Sequence, residues 1–370
     1  MDKKLIVISA VNLVEAGTLA ILRECLSYLS KLADHGEYKI VAVVFDKNLV
    51  DYPNIEYIET QWPKKKWINR LWYEYVSMNN ISKSLNPVYL WFSLHDTSPT
   101  VKAERRAVYC HNSYFNYKWR LHDLIFAPKI ALFAIFTKFI YRTNIHKNNY
   151  LVVQQDWFRQ AMHTIFNVPV SKIIVARPES PLLGFMEESE TVINDMYSFV
   201  FAGSPNSHKN FEIICKSVNI LIKEYNISNF KVSITVKGNE NKYANWLFKN
   251  WGHLENLHFT GFMPKDSLFK LYEDSNCLIF PSKIESWGLP ISEYSQLNKP
   301  MLLADLPYAH ETAEGARYTA FFEPTDERDL ADKMRNLING DSSFLKPIPR
   351  KSIKGPVVKS WEDLFSILLK

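Results

Sequence analysis

Residues 276–305 read NCLIFPSKIESWGLPISEYSQLNKPMLLAD. Cys277–Phe280 is an apolar run closed by Pro281, and Met301–Ala304 is a second, opened by Pro300. Runs that are apolar at every position are buried on both faces, as in the strands of a parallel sheet. Parallel neighbours need a crossover, so a helix is expected between them. Pro290 suits the first helical position, where a missing N–H costs nothing, and Gly288 lets the preceding loop turn tightly. The spacing predicts a helix from Leu289 to near Asn298.

A helix starting there leaves the amides of Leu289, Ile291 and Ser292 without intrahelical partners at the positive end of the dipole. That is a place for a diphosphate. Glu285 precedes the helix and Glu293 lies in its first turn, so both carboxylates border the same spot. Carboxylates repel phosphate and accept hydrogen bonds from hydroxyls. An anion site flanked by two of them describes a sugar nucleotide better than a simple phosphate ester.

Taken singly, Glu285 reads as a solvated loop residue and Glu293 as an ordinary first-turn acid. The combination E-S-W-G-L-P-I-S-E, set between two strands and followed by Lys299-Pro300, is more specific. It resembles the retaining nucleotide-sugar glycosyltransferases of family 4, the "glycosyl transferases group 1" domain, of the bacterial surface-polysaccharide type. The matching features are two glutamates with seven residues between them, the first followed by a small residue, an aromatic and a glycine. The resemblance implies an α/β GT-B fold, two Rossmann-like doubly wound parallel-sheet domains facing a central cleft. It further implies that Glu285 contacts the donor sugar, that the Trp287, Gly288 and Leu289 backbone holds the diphosphate, and that Glu293 binds the ribose. Retention of anomeric configuration and a reaction without metal or other cofactor are implied as well.

A length of 370 residues favours two domains, and 47% hydrophobic content is ample for two cores. The four cysteines, Cys25, Cys110, Cys215 and Cys277, lie far apart without metal-ligand spacing, which points to a reduced, cytoplasmic protein. No run reaches the roughly 18 uninterrupted apolar residues of a membrane span. Residues 101–178 carry 12 Lys and Arg against 3 Asp and Glu, a net +9 within a chain of net +5. Such asymmetry points to an anionic surface or substrate for that half. No nucleic-acid motif accompanies the basic residues, so nucleic acid is not expected as a partner.

Along the chain, strands are expected at 4–11, 38–45, 55–58, 88–92, 106–109, 150–154 and 172–175, with a helix over 19–32. They make an amino-terminal acceptor domain of residues 1–178. A linker is expected over 179–196 and a nucleotide-sugar domain over 197–354, with a last helix near 359–370 returning to the first domain. Residues beyond strand ends line the ligand crevices of open parallel sheets. Gly17 and Thr18 in the first loop read either as a plain turn or as an acceptor contact. His95 and Asp96 read as a loop hydrogen-bond pair or as groups that orient the acceptor. His111, followed by Asn112, reads as a satisfied strand-end histidine; the resemblance places a histidine here beside the reacting sugar.

In the second domain, Gly203-Ser204-Pro205-Asn206-Ser207-His208-Lys209 forms the first loop. The resemblance implies an arginine directly after Gly203 and a lysine five residues further, both neutralising diphosphate. Lys209 matches the second position, but the first is Ser204, so His208 or a residue of the other domain is expected to supply the remaining charge. Gly238, Phe262 and Met263 lie in strand-end loops on the expected donor side; the resemblance implies that the loop holding Phe262 and Met263 contacts the nucleotide base.

Lys64–Lys66 between Trp62 and Trp67 read as a solvated face or as a seat on anionic headgroups. Residues 121–142, LHDLIFAPKIALFAIFTKFIYR, read as a buried helix or as one lying in a membrane interface. The expected activity is hexosyl transfer from a nucleotide-sugar to a lipid-linked oligosaccharide in O-antigen or capsule assembly, peripheral on the inner face of the cytoplasmic membrane. His111, Glu285 and Lys209 are the expected catalytic residues. A sugar-nucleotide epimerase of the same fold and a non-catalytic sugar-nucleotide sensor are the rival readings.

Overall fold

The computed structural model describes residues 3–14, 16–178 and 196–370. The linker expected over 179–196 lies outside them except for Met196. Among the described residues the strands, in chain order, are β1 Lys4–Ser9, β2 Tyr38–Val44, β3 Ile55–Glu59, β4 Leu90–Ser93, β5 Arg105–Tyr109, β6 Tyr150–Val153 and β7 Ile173–Ala176. They continue with β8 Tyr197–Phe201, β9 Phe230–Ile234, β10 Leu257–Phe259, β11 Cys277–Phe280, β12 Met301–Ala304, β13 Thr319–Phe322 and β14 Val357–Val358.

The chain divides into two compact units. The first comprises Met1–Phe115, Phe136–Glu179 and Ile353–Lys370. Its sheet runs β14-β7-β6-β5-β4-β1-β2-β3, with each neighbouring pair parallel. Leu90, Trp91, Phe92 and Ser93 of β4 are all buried, as the unbroken apolar pattern requires of a central parallel strand. The Trp361–Leu368 helix lays Leu364, Phe365 and Leu368 into the core, where Phe365 stacks on Tyr28 at 5.5 Å between ring centres. β14 is too short to have shown in the sequence, yet it adds a strand beside β7.

The second unit comprises Asn116–Ile135 and Ser180–Ser352. Its parallel sheet runs β10-β9-β8-β11-β12-β13. Both sheets therefore reverse direction beside their first strand, between β1 and β4 and between β8 and β11. At such a switch point the two loops leaving the carboxyl ends diverge and open a crevice for a ligand.

Three expectations are corrected here. Residues 116–135 belong to the second unit, not to an amino-terminal domain of 1–178. The cause is aromatic packing: Phe126 lies 4.9 Å from Trp246 and 5.8 Å from Tyr243, ring centre to ring centre. The run 121–142 is two helices, Leu121–Phe126 and Pro128–Arg142. Pro128 pushes the preceding residue out of helical geometry, and Ala127 sits at φ −141°, ψ 57°. The crossover helix is Leu289–Ser295, shorter than expected, with Gln296–Asn298 in a turn and Asn298 at φ 52°.

Candidate functional site

The switch point of the second sheet is built by the loop after β8, residues 202–210, and the loop after β11, residues 281–288. Gly288 has φ 91° and ψ 60°, a left-handed conformation that glycine alone adopts freely, and it turns the chain directly into the Leu289–Ser295 helix. Trp287 is buried beneath this turn, donating from Nε1 to Ser292 Oγ at 3.2 Å and accepting at its carbonyl from Thr312 Oγ1. Its role in the structure is to fix the turn. The Ile291 amide bonds the Gly288 carbonyl at 2.9 Å, so of the amides expected to be open at the helix start, this one is used.

The two loops are stitched together. Asn210, itself left-handed at φ 61°, donates from Nδ2 to the Pro281 carbonyl at 3.1 Å and the Pro324 carbonyl at 2.9 Å. The Lys283 amide bonds the His208 carbonyl at 2.7 Å. Above these backbone bonds two ion pairs run from loop to loop: Lys209 Nζ to Glu285 Oε1 at 2.5 Å, and Lys283 Nζ to Glu212 Oε1 at 2.8 Å. All four side chains are mostly covered, Lys209 and Glu285 keeping 17% and 16% exposure. Glu212 also accepts from Tyr243 Oη, and the His122 ring lies 3.9 Å from its carboxylate.

Lys209 and Glu285, singled out in the sequence, are thus in direct contact. Ser204 is exposed in the same loop as Lys209, its hydroxyl accepting from Asn206 Nδ2 at 2.9 Å. His208 does not supply the charge missing at Ser204. It is buried, and desolvation together with the Lys209 and Lys283 ammonium groups pushes its pKa down to about 3, leaving it neutral. Glu293 is half-buried on the second turn of the Leu289–Ser295 helix, not the first as expected, and burial raises its pKa, only partly opposed by Lys265.

The remaining donor-side residues are scattered over neighbouring loops. Gly203 donates its amide to Thr235 Oγ1 at 2.9 Å. Gly238 (φ 103°) and Lys237 give their amides to the Glu240 carboxylate at 2.8 and 2.6 Å, so this anion-binding turn is filled by its own side chain. Phe262 is 89% exposed and Met263 is partly covered.

In the first unit the polar residues gather past β4 and β5. Asp96, left-handed at φ 67°, accepts at Oδ1 from the amides of His111 at 2.6 Å and Asn112 at 2.9 Å, and from Tyr141 Oη at 3.2 Å. It is the peg on which the His111 loop hangs. The His111 ring stacks on Tyr109 at 4.4 Å, and its Nε2 faces the Leu94 carbonyl at 3.1 Å. A carbonyl partner assigns the proton to Nε2, which leaves Nδ1 a lone-pair acceptor with no hydrogen-bond partner among the described residues. Burial lowers the His111 pKa, so the ring is a neutral acceptor. His95 is enclosed: Nε2 lies 2.8 Å from Ser9 Oγ and Nδ1 3.1 Å from Thr97 Oγ1. Gly17 and Thr18 are not in a loop but in the first turn of the Ala16–Asp34 helix.

Several residues of these clusters escaped the sequence reading. Lys283 and Glu212 pair across 71 residues, and no local pattern shows that. Arg70 and Glu74 did carry a signal, the i, i+4 spacing of an ion pair, and they meet at 2.8 Å beside His95. Their helix includes a π-turn over Tyr73–Ser77, which carries the buried Glu74. Among the described residues no group of three or more metal-binding side chains occurs, and no helix is long and apolar enough to cross a membrane.

Residues 186–351 match the family profile described as "Glycosyl transferases group 1". The O-antigen chain mannosyltransferase RfbU of Salmonella typhimurium is 23% identical over 223 residues, and the match spans 59% of this chain and 59% of that relative. Among solved structures, a glycosyltransferase from Rickettsia africae superposes with a TM-score of 0.63 at 16% identity, covering 92% of this chain and 90% of that one. The lipopolysaccharide outer core galactosyltransferase WaaB gives 0.62 at 11% identity, covering 91% and 90%. WaaG, a glycosyltransferase involved in lipopolysaccharide biosynthesis, gives 0.60 at 13% identity, covering 90% of each chain. With the E-S-W-G-L-P-I-S-E segment at a sheet switch point and Lys209 paired to its first glutamate, residues 186–351 are similar to the group 1 glycosyl transferases, and the chain has the GT-B fold.

Proposed function

We propose that this protein moves a hexosyl unit, with retention of anomeric configuration, from a nucleotide-sugar to a hydroxyl of a lipid-linked glycan during O-antigen or related surface-polysaccharide assembly. The observation that carries the reading is the Lys209–Glu285 pair at the β8/β11 switch point, before the helix that carries Glu293. A diphosphate arriving at this crevice takes Lys209 as its counter-ion and releases Glu285 to accept from sugar hydroxyls. Bond breaking then builds negative charge on the leaving diphosphate, which Lys209 stabilises from a fixed position. Lys283, the other ammonium group of the stitched loops, is the source of charge in place of an arginine at position 204. In the first unit, His111 past the end of β5 is the proposed contact to the reacting sugar. The reaction proceeds on these charges without a divalent cation, and undiminished turnover in EDTA is the expected result.

An anionic membrane surface is proposed as the second partner. Leu132, Ile135, Phe136 and Phe139 recur at helical spacing along Pro128–Arg142 and are exposed, with Lys138 and Arg142 on the same helix. Trp67, Ile68 and Trp72 are exposed next to Lys64–Lys66. Aromatic and aliphatic side chains beside lysines are the composition of an interfacial helix. Sedimentation with phosphatidylglycerol vesicles at low salt, weakened at high salt, is expected; protein that stays in the supernatant at both salts refutes this part.

The exposed Ser204 favours a second reading, a sugar-nucleotide sensor without transferase activity. Nucleoside diphosphate release from UDP-, GDP-, ADP- and dTDP-sugars, with and without extracted lipid-linked glycan, separates the two for wild type and Glu285→Ala. Lipid-stimulated release from one donor, lost in the variant, supports the transferase. Donor binding without release on any acceptor supports the sensor.

A further inference from the structure

A cavity lies wholly within the first unit, apart from the donor-side loops after β8 and β11. Its volume is about 590 Å³, and it is flanked by the Ala16–Asp34 helix, the Trp361–Leu368 helix and the ends of β5 and β7. That size is within the range of about 300–1,000 Å³ typical of small-molecule sites. Four aromatic rings, Tyr28, Tyr52, Tyr109 and Trp361, line it together with Val358 and Leu364. Three of these rings are held in place: Tyr28 stacks on Phe365, Tyr109 stacks on His111, and Trp361 Nε1 reaches Glu24 Oε2 at 3.5 Å.

Charged groups complete the lining. Arg23, Lys31, Arg177 and Lys359 face it against Glu24 and Glu362, an excess of two positive charges. Each feature restricts the ligand. Flat rings with polar tips suit a molecule with one apolar face, and two carboxylates call for hydroxyl donors on its edge. Surplus cations call for an anionic group. A pyranose has the face and the hydroxyls, and a single carboxylate or phosphate on it answers the surplus charge. A polyphosphate would meet both carboxylates with repulsion.

We infer that this cavity binds an anionic monosaccharide unit, one that carries a carboxylate or a phosphate monoester. Such a unit can arrive as a free sugar or as part of a glycan. Tyr109 connects the cavity to the neutral His111 ring through their stacked faces, so the same sheet edge serves both places.

The test is calorimetric titration of the full chain with glucuronate, glucose 1-phosphate, glucose, inorganic phosphate and a glucuronate-containing oligosaccharide. Lys31→Glu/Lys359→Glu reverses two exposed charges without touching the core, and Glu285→Ala removes a donor-side group. Glucuronate and glucose 1-phosphate are expected to bind at least about tenfold more tightly than glucose or phosphate, the worth of one charge-assisted hydrogen bond. The charge-reversed variant should lose that preference, while Glu285→Ala keeps it. Tighter binding of the oligosaccharide than of glucuronate supports a glycan as the source, and equal binding supports the free sugar. The inference is overturned if phosphate binds as well as glucose 1-phosphate. It is also overturned if binding survives charge reversal but not Glu285→Ala, or if the folded wild type binds none of the sugars.

Discussion

Lys209 and Glu285 neutralise each other across two loops, and each is positioned by backbone bonds that do not depend on either charge. Lys209→Ala is therefore expected to leave the fold intact and lower kcat by about 10²–10³, the usual cost of removing one fixed charge-stabilising group. Glu285→Gln, which keeps shape but loses the ion pair, should raise the apparent KM for donor as well as lower kcat; steady-state nucleoside diphosphate release reads both. His208 gives a pH prediction. Its folded-state pKa is about 3 against an ordinary value of 6.5, so between these values the unfolded chain binds a proton that the fold excludes. Stability is then full above about pH 6.5 and is lost as pH falls, by about 3 kcal/mol at pH ~4.5. Urea unfolding of wild type and His208→Asn at neutral and acid pH measures it, the variant showing the flatter profile.

At the scale of elements, the His111 loop depends on Asp96. One carboxylate oxygen accepts from two consecutive backbone amides and a tyrosine hydroxyl. Asp96→Ala leaves these donors unpaired and places alanine at φ 67°, which together should cost about 2–4 kcal/mol. Asp96→Asn keeps an acceptor and a residue that tolerates the left-handed region, and is expected to cost less than half as much in thermal or urea unfolding. This arrangement was only partly legible beforehand. Apolar runs placed most strands within a residue or two, because a strand buried on both faces has no room for polar side chains. The partners of the polar residues at strand ends were not legible, since Asp96 and Tyr141 are 45 residues apart and no spacing rule connects them. The break at Pro128 was visible as a proline, but an apolar run long enough for one helix outweighed it.

At the scale of the molecule, each unit is assembled from discontinuous segments, and truncations test this. Ending the chain at Ser352 removes β14 and the Trp361–Leu368 helix, with Leu364, Phe365 and Leu368 all buried. At about 2–3 kcal/mol for each large apolar side chain, the loss rivals the whole stability of a domain. Such a chain is expected to be insoluble or to expose dye-binding surface. Residues 196–352 expressed alone lack the 116–135 segment, and Tyr243 and Trp246 lose their cover of His122 and Phe126. Adding a peptide of residues 116–135 should raise the melting temperature of that fragment, and Phe126→Ala in the peptide should abolish the effect.

Local physics acts over short stretches of chain, and it was enough to determine the alternation of strands and helices and the glycine turn at Gly288; the two glutamates and the lysine of the candidate site stood out only through the resemblance of their motif. The first two rest on apolar periodicity and backbone conformation, both of which are written residue by residue. Tertiary structure decided what those groups meet. It paired Lys209 with Glu285, enclosed His95, made His208 neutral, and drew residues 116–135 into the second unit. Burial and long-range contact set the charge state and the partner of a side chain, and both depend on residues dozens of positions away.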